Sequence, residues 1–542
     1  MQIEANLVDI FNKEIYPAKV VIKDDTIISI QKTDKKYDTF ILPGFVDAHI
    51  HIESSMLIPS QFAKLATKHG SVATVSDPHE IANVLGIDGI EFMIKDAKKS
   101  GFKVYFGASP CVPATPFETN GATLSVEDID NLLSRDDIYY LSEVMNFPGV
   151  INGDKDMLDK IKIAKKYNKP IDGHSPALTQ DDLQKYIDAG ISTDHEAFTY
   201  EEAKEKLQRG IKIQIREGSA AKNYEALHPL IDEFYEDLMF CSDDKHPNEL
   251  YEGHINELVK RSIAYGYDLY KVLQIASYNP VKHYNIDVGM LRIGDKADFI
   301  EVKNLQDFEV LQTVINGKVV YDKGKSYIDV FLEEKPNRFD IDIKTQQDFK
   351  YREVCKKYRV INAINKQLIT QEQDTSLVLK DGIVQTDTSK DILLISVTNR
   401  YNNAPVALSF VHGFGLKEGA IASSVAHDSH NIISVGCDAF SMALAVNAII
   451  KTKGGISAVN SKGDISCLAL PVAGLMSSDD ANIVAKRYKE LDRYVKDVLG
   501  SKLDAPFMTL SFMALLVILD IKLSDKGLFD GNSFHFIKEC AL

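Results

Sequence analysis

Eight short apolar segments, each about as long as a β-strand, recur between residues 41 and 284. The stretches between them have helical periodicity; Ile90, Ile94 and Ala97, for example, fall on one face of a helix. Strands that alternate with helices eight times predict a (β/α)8 TIM barrel, with a doubly wound open sheet as the alternative. The eight segments are FILPGFVDAHIHI, GSVATVSD, FKVYFGAS, IYYLSEVMNF, KPIDGHS, ISTDHEAF, IKIQIREG and DLMFCSDD.

Two β-rich flanks surround this middle region. Residues 1–40 and 285–340 contain alternating apolar and polar positions interrupted by turn signals, of which Asn316-Gly317 is the strongest. Asp24-Asp25 is a second expected turn. We therefore predict one small β-sandwich domain built from both flanks of the barrel.

A separate α+β domain is expected over residues 345–542, where the regular alternation of strands and helices stops. The spacing of apolar residues predicts a helix over 479–499, and the mixed-charge stretch 332–348 is the expected linker. The apolar run 507–519 is too short for a membrane span, so we interpret it as a buried core helix.

Composition narrows the possible functions. The 542 residues carry 62 Lys and Arg against 78 Asp and Glu, a net charge of −16, which disfavours a broad nucleic-acid-binding surface. The amino terminus has no basic segment followed by an apolar one, so we expect no signal peptide and a cytoplasmic location. The six cysteines are scattered singly, without a CxxC pair, which predicts reduced thiols rather than disulfides or a thiolate zinc site.

His49 and His51 form the sharpest local motif. In a strand, alternate side chains share a face, so both imidazoles project together. They stand at the carboxyl end of the first predicted barrel strand, where barrel enzymes build their active sites. Two adjacent neutral imidazoles favour a divalent metal.

The carboxyl ends of other predicted strands also carry metal-ligand side chains: Glu143, His174, His195 and the pair Asp243-Asp244. Each has an ordinary explanation by itself, as a strand-end charge, a core histidine or a helix cap. Together they would be costly to bury without a cation to pair with. We therefore predict a metal site at this end of the barrel.

Several other motifs either do not match a known metal-site signature or allow more than one interpretation. His79 begins HEIAN, which is not HExxH, and the His51-Ile52-Glu53 triplet lacks the PCxxC of cytidine-type zinc deaminases. The segment 427–430, HDSH, could be a ligand cluster, a polar loop or a cover for the barrel mouth. We expect residues 412–430 to lie over that mouth.

Longer strings carry a resemblance to a known family. PGFVDAHIHIESSM resembles the opening of the amidohydrolase superfamily. The bacterial adenine deaminase family is more similar still, over nearly the whole chain. The shared strings include VATVSDPHEIANVLG, LSEVMNFPGVINGD, DGHSP, STDHEAF, IREGSAAKN, CSDDKHP, VHGFGLKEGAIASSVAHDSHNIISVG and LPVAGLMS.

That resemblance implies a metal-dependent hydrolase that converts adenine and water to hypoxanthine and ammonia in purine salvage. It implies two divalent ions, Mn²⁺ or Fe²⁺, bound at His49 and His51 and at His174 and His195, with Glu143 as the bridge. We expect a homo-oligomer that contacts neither nucleic acid nor membrane.

The resemblance also implies that Asp243 contacts both a metal and the attacking water and moves the proton, with Asp244 as the competitor for that role. The expected substrate-binding residues are His79, Glu80, Arg216 and His246. Two other functions remain open: an amidohydrolase acting on a different nucleobase or cyclic amide, and a catalytically dead scaffold. Retention of all six ligand-type residues argues against the scaffold.

Overall fold

The eight predicted segments form a ring of parallel strands in the computed structural model, which describes residues 1–219, 221–330 and 334–541. The ring consists of a run of five strands and a run of three. A bridge between Ile50 and Asp243 closes one seam, and Ser192 N donates to Ile171 O (2.9 Å) at the other. The (β/α)8 barrel is confirmed, with strands Phe45–Ile50, Ser71–Ser76, Lys103–Ala108, Ile138–Val144, Ile171–Gly173, Thr193–Asp194, Lys212–Arg216 and Leu238–Cys241.

Helices surround this ring. In the helix Ile87–Ser100, the predicted apolar positions Ile90, Ile94 and Ala97 are buried. The helices of this region are Pro59–Lys68, His79–Leu85, Ile87–Ser100, Val126–Leu133, Phe147–Asn152, Lys155–Lys166, Gln180–Ala189, Tyr200–Gln208, Tyr224–Leu227, Ile231–Phe234, Pro247–Glu252, Ile255–Ala264, Leu269–Leu273 and Asn279–Tyr284.

The first predicted strand is in fact two strands that belong to different sheets. Phe40–Pro43 pairs with the flanking strands, and the barrel begins at Phe45. Gly44 separates them, and a Cβ added there would lie 2.2 Å from a methyl group of Val72. The chain can therefore pass this point only without a side chain, which the apolar pattern does not show.

The flanks build one eight-stranded sheet beside the barrel. Asn316 and Gly317 both have positive φ in the predicted hairpin turn, and Asp24 has positive φ in the other. In spatial order the strands are Lys325–Ser326, Lys318–Asp322, Val310–Ile315, Phe299–Val302, Phe40–Pro43, Gln2–Asp9, Glu14–Lys23 and Thr26–Lys32.

The C-terminal region forms a second eight-stranded sheet with helices against it. In spatial order its strands are Thr370–Thr375, Tyr358–Ala363, Ala407–His412, Leu393–Thr398, Ile432–Gly436, Ala420–Ser423, Gly455–Val459 and Ile465–Ala469. The smaller strands are Leu379–Lys380, Ile383–Val384, Ile521–Ser524, Gly527–Asp530 and His535–Phe536, and the helices are Ala439–Thr452, Ala481–Asp497 and Pro506–Phe512.

One prediction for this region needs adjustment, and another falls partly outside the described residues. Only Pro506–Phe512 of the expected core helix is helical, and the chain then continues through turns to residue 520. The first two residues of the predicted linker, 332 and 333, lie outside the described residues. Within the described ranges, no helix has the length and apolar character needed to cross a membrane.

The cysteine prediction is wrong at one pair. Cys355 and Cys540 form a disulfide across 185 positions, where Arg359 N also donates to Glu539 O (2.8 Å). The sequence showed no such pair because only the folded sheet brings the chain end beside the strand Tyr358–Ala363. The remaining cysteines are free: Cys111, Cys241, Cys437 and Cys467.

Candidate active site and metal centre

The strand ends converge on one buried cluster at the carboxyl end of the barrel, as the sequence predicts. Each strand delivers its side chain there because parallel strands all end on the same side of the ring. The cluster contains all six predicted ligand residues, and the members that line its cavity are His51, Glu143, His174, His195 and Asp243. His49 lies beneath them and is fully buried.

Glu143 lies at the centre of the cluster. Its Oε1 is 3.2 Å from His51 Nε2, and its Oε2 is 2.8 Å from His174 Nδ1 and 3.3 Å from His195 Nε2. The two oxygens therefore face different imidazoles. This is the arrangement needed for one carboxylate to bridge two cations.

Asp243 faces the same imidazoles from the eighth strand. Its Oδ1 lies 3.1 Å from His51 Nε2 and 3.7 Å from His49 Nε2. Its backbone N donates to His49 O (2.9 Å), which ties the strand end to the first barrel strand. Asp244 lines the same cavity, but its Oδ1 accepts a hydrogen bond from Ser54 Oγ (2.5 Å).

The donor atoms of the cluster fit a metal. Both ring nitrogens of His49 and the Nδ1 of His195 are buried without a hydrogen-bond partner among the described residues. Burial lowers the pKa of His49 to about 3, so its imidazole is neutral, the form that binds metals. His51 Nδ1 contacts the carbonyl of Asp77 at 3.1 Å, and donating there leaves Nε2 free for a cation.

Charge balance leads to the same conclusion. Burial would raise the pKa of Glu143 and of Asp243, but neighbouring histidines and Arg216 hold both well below the usual range. His195 is buried, which lowers its pKa, yet Glu143 raises it to about 9. Two ionised carboxylates thus depend on positive charge around them, which divalent cations would supply.

Arg216, expected to bind substrate, is already engaged by two carboxylates. Its Nη1 donates to both Glu196 Oε1 and Asp243 Oδ2. The guanidinium is buried at the edge of the cavity and holds Asp243 in place. Arg216 also lines the cavity, so the geometry adds the positioning of Asp243 to the contact with substrate that the sequence predicts.

His246, another expected substrate-binding residue, is not among the residues that line the cavity. Its Nδ1 lies within hydrogen-bond distance of Tyr488 Oη, which belongs to the C-terminal helix Ala481–Asp497. Burial lowers the pKa of His246 to about 3. The residue joins the barrel to the C-terminal region.

His79 and Glu80 do line the cavity, as predicted. His79 Nδ1 is 3.1 Å from Asp77 Oδ2 and 3.4 Å from Glu143 Oε1, while its Nε2 is 3.4 Å from Glu80 Oε1. Burial lowers the pKa of His79, but Asp77 and Glu80 raise it well above its usual value. His79 therefore carries a proton beside the metal cluster.

The C-terminal region completes the cavity through the segment that the sequence left open. Glu80 bonds His427 Nδ1 with one oxygen and His430 Nε2 with the other. Ala426 N donates to His430 Nδ1 (3.2 Å), so the hydrogen of this imidazole is on Nε2 and points at Glu80. Only this end of the segment 412–430 reaches the mouth, because His412 ends a strand and contacts Asn362 (2.7 Å).

An apolar wall faces the polar cluster, and sequence reasoning missed it. The cavity's large apolar lining residues are Met145, Leu368, Phe512, Leu515, Val517 and Ile518, and five of these six come from the C-terminal region. No local motif marks these residues, since apolar side chains in a folded domain usually indicate only packing. A flat aromatic ring is the shape that such a wall accommodates.

Comparisons with known proteins agree with this geometry. Residues 40–320 match the amidohydrolase family, and residues 367–535 match the adenine deaminase C-terminal domain. An adenine deaminase of Sulfurovum sp. is 60% identical over 540 residues, covering 100% of both chains. The chain belongs to the adenine deaminase family.

Two further matches to this adenine deaminase family member have lower sequence identity. An adenine deaminase of Methanosarcina mazei is 48% identical over 98% of both chains. A solved β-aspartyl dipeptidase of Fervidobacterium islandicum AW-1 covers 62% of this chain and 100% of its own, at 15% identity and a TM-score of 0.46.

Glu196 is a site residue of this family member that the sequence could have suggested. It accepts from Arg216 and lies 3.6 Å from His174 Nδ1 and 3.5 Å from His195 Nε2. It directly follows His195 in the string STDHEAF, so the signal was its position beside a predicted ligand.

A buried lysine supports the second pair of histidines, and its removal should destabilise the fold. Lys206 Nζ donates to Asp194 Oδ2 (2.9 Å) and Ser175 O (2.7 Å), and Asp194 in turn holds the backbone beside His195. Lys206→Met leaves Asp194 as an unpaired buried charge, so we expect a loss of about 3 kcal/mol in the free energy of unfolding. Urea unfolding followed by circular dichroism measures this loss.

The matched control lies on the same helix. Lys204 pairs with the exposed Glu233 at 3.1 Å, so Lys204→Met should cost less than about 1 kcal/mol. Equal losses for the two variants would contradict the role given to Lys206.

Proposed function

We propose that this protein hydrolyses adenine to hypoxanthine and ammonia. Water adds its oxygen to carbon 6 of the purine, the bond from carbon 6 to the amino nitrogen breaks, and that nitrogen leaves as ammonia. The observation that carries this proposal is the 60% identity, over both full lengths, to a relative named adenine deaminase. The buried cluster of imidazoles and carboxylates, with an apolar wall opposite, supports it.

We propose further that two divalent cations, Mn²⁺ or Fe²⁺, occupy the cluster. His49 and His51 would hold one cation, His174 and His195 the other, and Glu143 would bridge them. The unpartnered ring nitrogens of His49 support this assignment. Imidazole and carboxylate ligands suit both metals. Bound cations of this kind lower the pKa of water, so that hydroxide is available near neutral pH.

Asp243 is proposed as the group that moves the proton from the attacking water to the departing ammonia. Its Oδ1 faces His51 and the cluster, while Arg216 holds its Oδ2. A carboxylate fixed in this way can act first as a base and then as an acid without reorienting. Asp244, bonded to Ser54, lacks this position.

His79 is proposed to donate a proton or hydrogen bond to a ring nitrogen as the purine loses aromaticity. It carries a proton, it lines the cavity, and it lies 3.4 Å from Glu143. Glu80 Oε1 lies 3.4 Å from Nε2 of the His79 imidazole. Glu80 can therefore accept that proton from His79 or return it.

The substrate assignment is tested by an ammonia-release assay. Manganese-loaded protein is incubated in parallel with adenine, adenosine, guanine and cytosine, and ammonia is measured over time. We expect release from adenine alone. Release from adenosine but not from adenine would refute the proposal, and release from guanine or cytosine alone would favour an amidohydrolase of different specificity.

Metal removal should abolish the activity reversibly. Dialysis against a chelator leaves the carboxylates and imidazoles without cations, so we expect no detectable ammonia release from the metal-free protein. Addition of Mn²⁺ should restore activity in proportion to bound metal and reach a maximum at two ions per chain, measured by elemental analysis. Full activity at one ion per chain would contradict the two-metal assignment.

A cytoplasmic homo-oligomer completes the proposal. A small soluble substrate and the acidic net charge of −16 are compatible with the cytoplasm. The disulfide between Cys355 and Cys540 is unusual for that compartment, where thiols stay reduced. Light scattering after size exclusion, with and without a reductant, measures the assembly directly.

A further inference from the structure

Two cavity-lining residues of the C-terminal region each carry a buried polar atom without a hydrogen-bond partner among the described residues. The atoms are His427 Nε2 and Asp428 Oδ2, and both side chains are buried, with each residue 3% exposed. The same cavity contains Glu143 and Asp243. A buried polar atom left unpaired costs about 1–3 kcal/mol, so these two atoms indicate contacts that a ligand completes.

His427 presents a hydrogen-bond donor to the cavity. Its Nδ1 contacts Glu80 Oε1, and because a carboxylate only accepts, this nitrogen carries a hydrogen. Burial lowers the pKa of His427, but Glu80 and Asp244 raise it to about 9, so Nε2 also carries a hydrogen at neutral pH. The ring packs almost parallel to Phe512, 4.9 Å between centroids, which fixes its plane.

Asp428 presents an acceptor beside that donor. Its other oxygen, Oδ1, lies 4.0 Å from His79 Nε2, so the carboxylate stands next to the proposed proton donor rather than among the metal ligands. Burial raises the pKa of Asp428 to about 6, so the group is mostly ionised at neutral pH. Consecutive residues thus offer a donor and an acceptor to one ligand edge.

Adenine has an edge with the complementary pattern. Carbon 6 must face the metal cluster for its amino group to be replaced, and N3 lies directly across the six-membered ring from carbon 6. N9–H is separated from N3 by a single carbon. The base has only two kinds of N–H donor, the amino group at the reacting carbon and this ring N–H, so Asp428 can find a donor at the far edge only at N9.

We propose that His427 donates to N3 and Asp428 accepts from N9–H, so that the C-terminal region selects free purine bases over nucleosides. This inference rests on the proposed deamination of adenine. A substituent on N9 removes the hydrogen that Asp428 binds and occupies the space of its Oδ2. Selectivity would then come from residues outside the barrel that carries the metal ligands.

Titration calorimetry with the full-length, metal-loaded protein tests this without requiring turnover. The ligands are hypoxanthine, 9-methylhypoxanthine and 3-deazahypoxanthine, compared in wild type, Asp428→Ala and His427→Ala. In wild type, we expect each analogue to bind at least about tenfold more weakly than hypoxanthine, the effect of losing one charged hydrogen bond. Asp428→Ala should remove the penalty for the 9-methyl group only, and His427→Ala the penalty for the 3-deaza change only.

Controls separate recognition from general damage. His412→Gln alters a histidine of the same segment that does not line the cavity, so both penalties should persist. Asp428→Asn keeps the side-chain volume and should reduce the 9-methyl penalty in the same direction as alanine. Circular dichroism and elemental analysis confirm that each variant is folded and metal-loaded.

The outcomes are distinct. An unchanged 9-methyl penalty in Asp428→Ala, or both penalties falling together in either variant, would overturn the edge assignment while the deaminase function stands. Wild-type protein that neither binds hypoxanthine nor releases ammonia from adenine would overturn the proposed function itself, and this inference with it.

Discussion

Asp243→Asn should reduce kcat for adenine by about a thousandfold or more while most of the metal stays bound. The amide keeps the shape of the carboxylate but cannot take a proton from water, and general acid–base catalysis contributes about 10²–10⁴-fold. Arg216 and His51, the two partners of Asp243, remain in place. Steady-state ammonia release and elemental analysis of the same preparation give both quantities.

Asp244→Asn is the matched control, since it makes the same chemical change at the adjacent position. Asp244 bonds Ser54 rather than the metal-ligand histidines, so its variant should lose less than about tenfold in kcat. The opposite ranking would show that Asp244 moves the proton and that Asp243 serves the metals alone.

Glu143→Gln should lose both activity and metal. Each carboxylate oxygen of Glu143 faces different imidazoles, and a neutral amide offers only one oxygen and no charge to two cations. We expect at most one tightly bound ion per chain and no measurable ammonia release. Elemental analysis after gel filtration measures the stoichiometry.

Glu143→Asp provides the comparison, because it keeps the charge and shortens the reach. It should retain more metal than the glutamine variant even if turnover stays low. Two ions per chain in Glu143→Gln would remove the bridging role from this residue.

The metal cluster could be predicted because barrel topology converts a one-dimensional pattern into a shared location. Once eight strands are counted, side chains at the carboxyl ends of the strands are expected at the same mouth of the barrel. His49 and Glu143 can therefore be placed together without coordinates. Their chemistry is visible in the residue types. The eightfold repeat of the apolar segments was therefore enough to predict that these side chains lie close together.

Arg216 and His246 show where this reasoning stops. Both follow barrel strands, and both were expected to contact substrate. The spacing of the strands does not locate their hydrogen-bond partners, which are Glu196 for Arg216 and Tyr488, 242 positions away, for His246. Phe512 also reaches the cavity wall through long-range packing. An apolar residue in the sequence does not by itself indicate such a position.

The bond between Glu80 and His430 spans 350 positions of the chain and closes the cavity beside the metals. During synthesis, the barrel leaves the ribosome long before the residues that complete its pocket. Until those residues are in place, Glu80 lacks two of its partners and the cavity lacks part of its wall. The complete cavity would then form only after the C-terminal region has packed against the barrel.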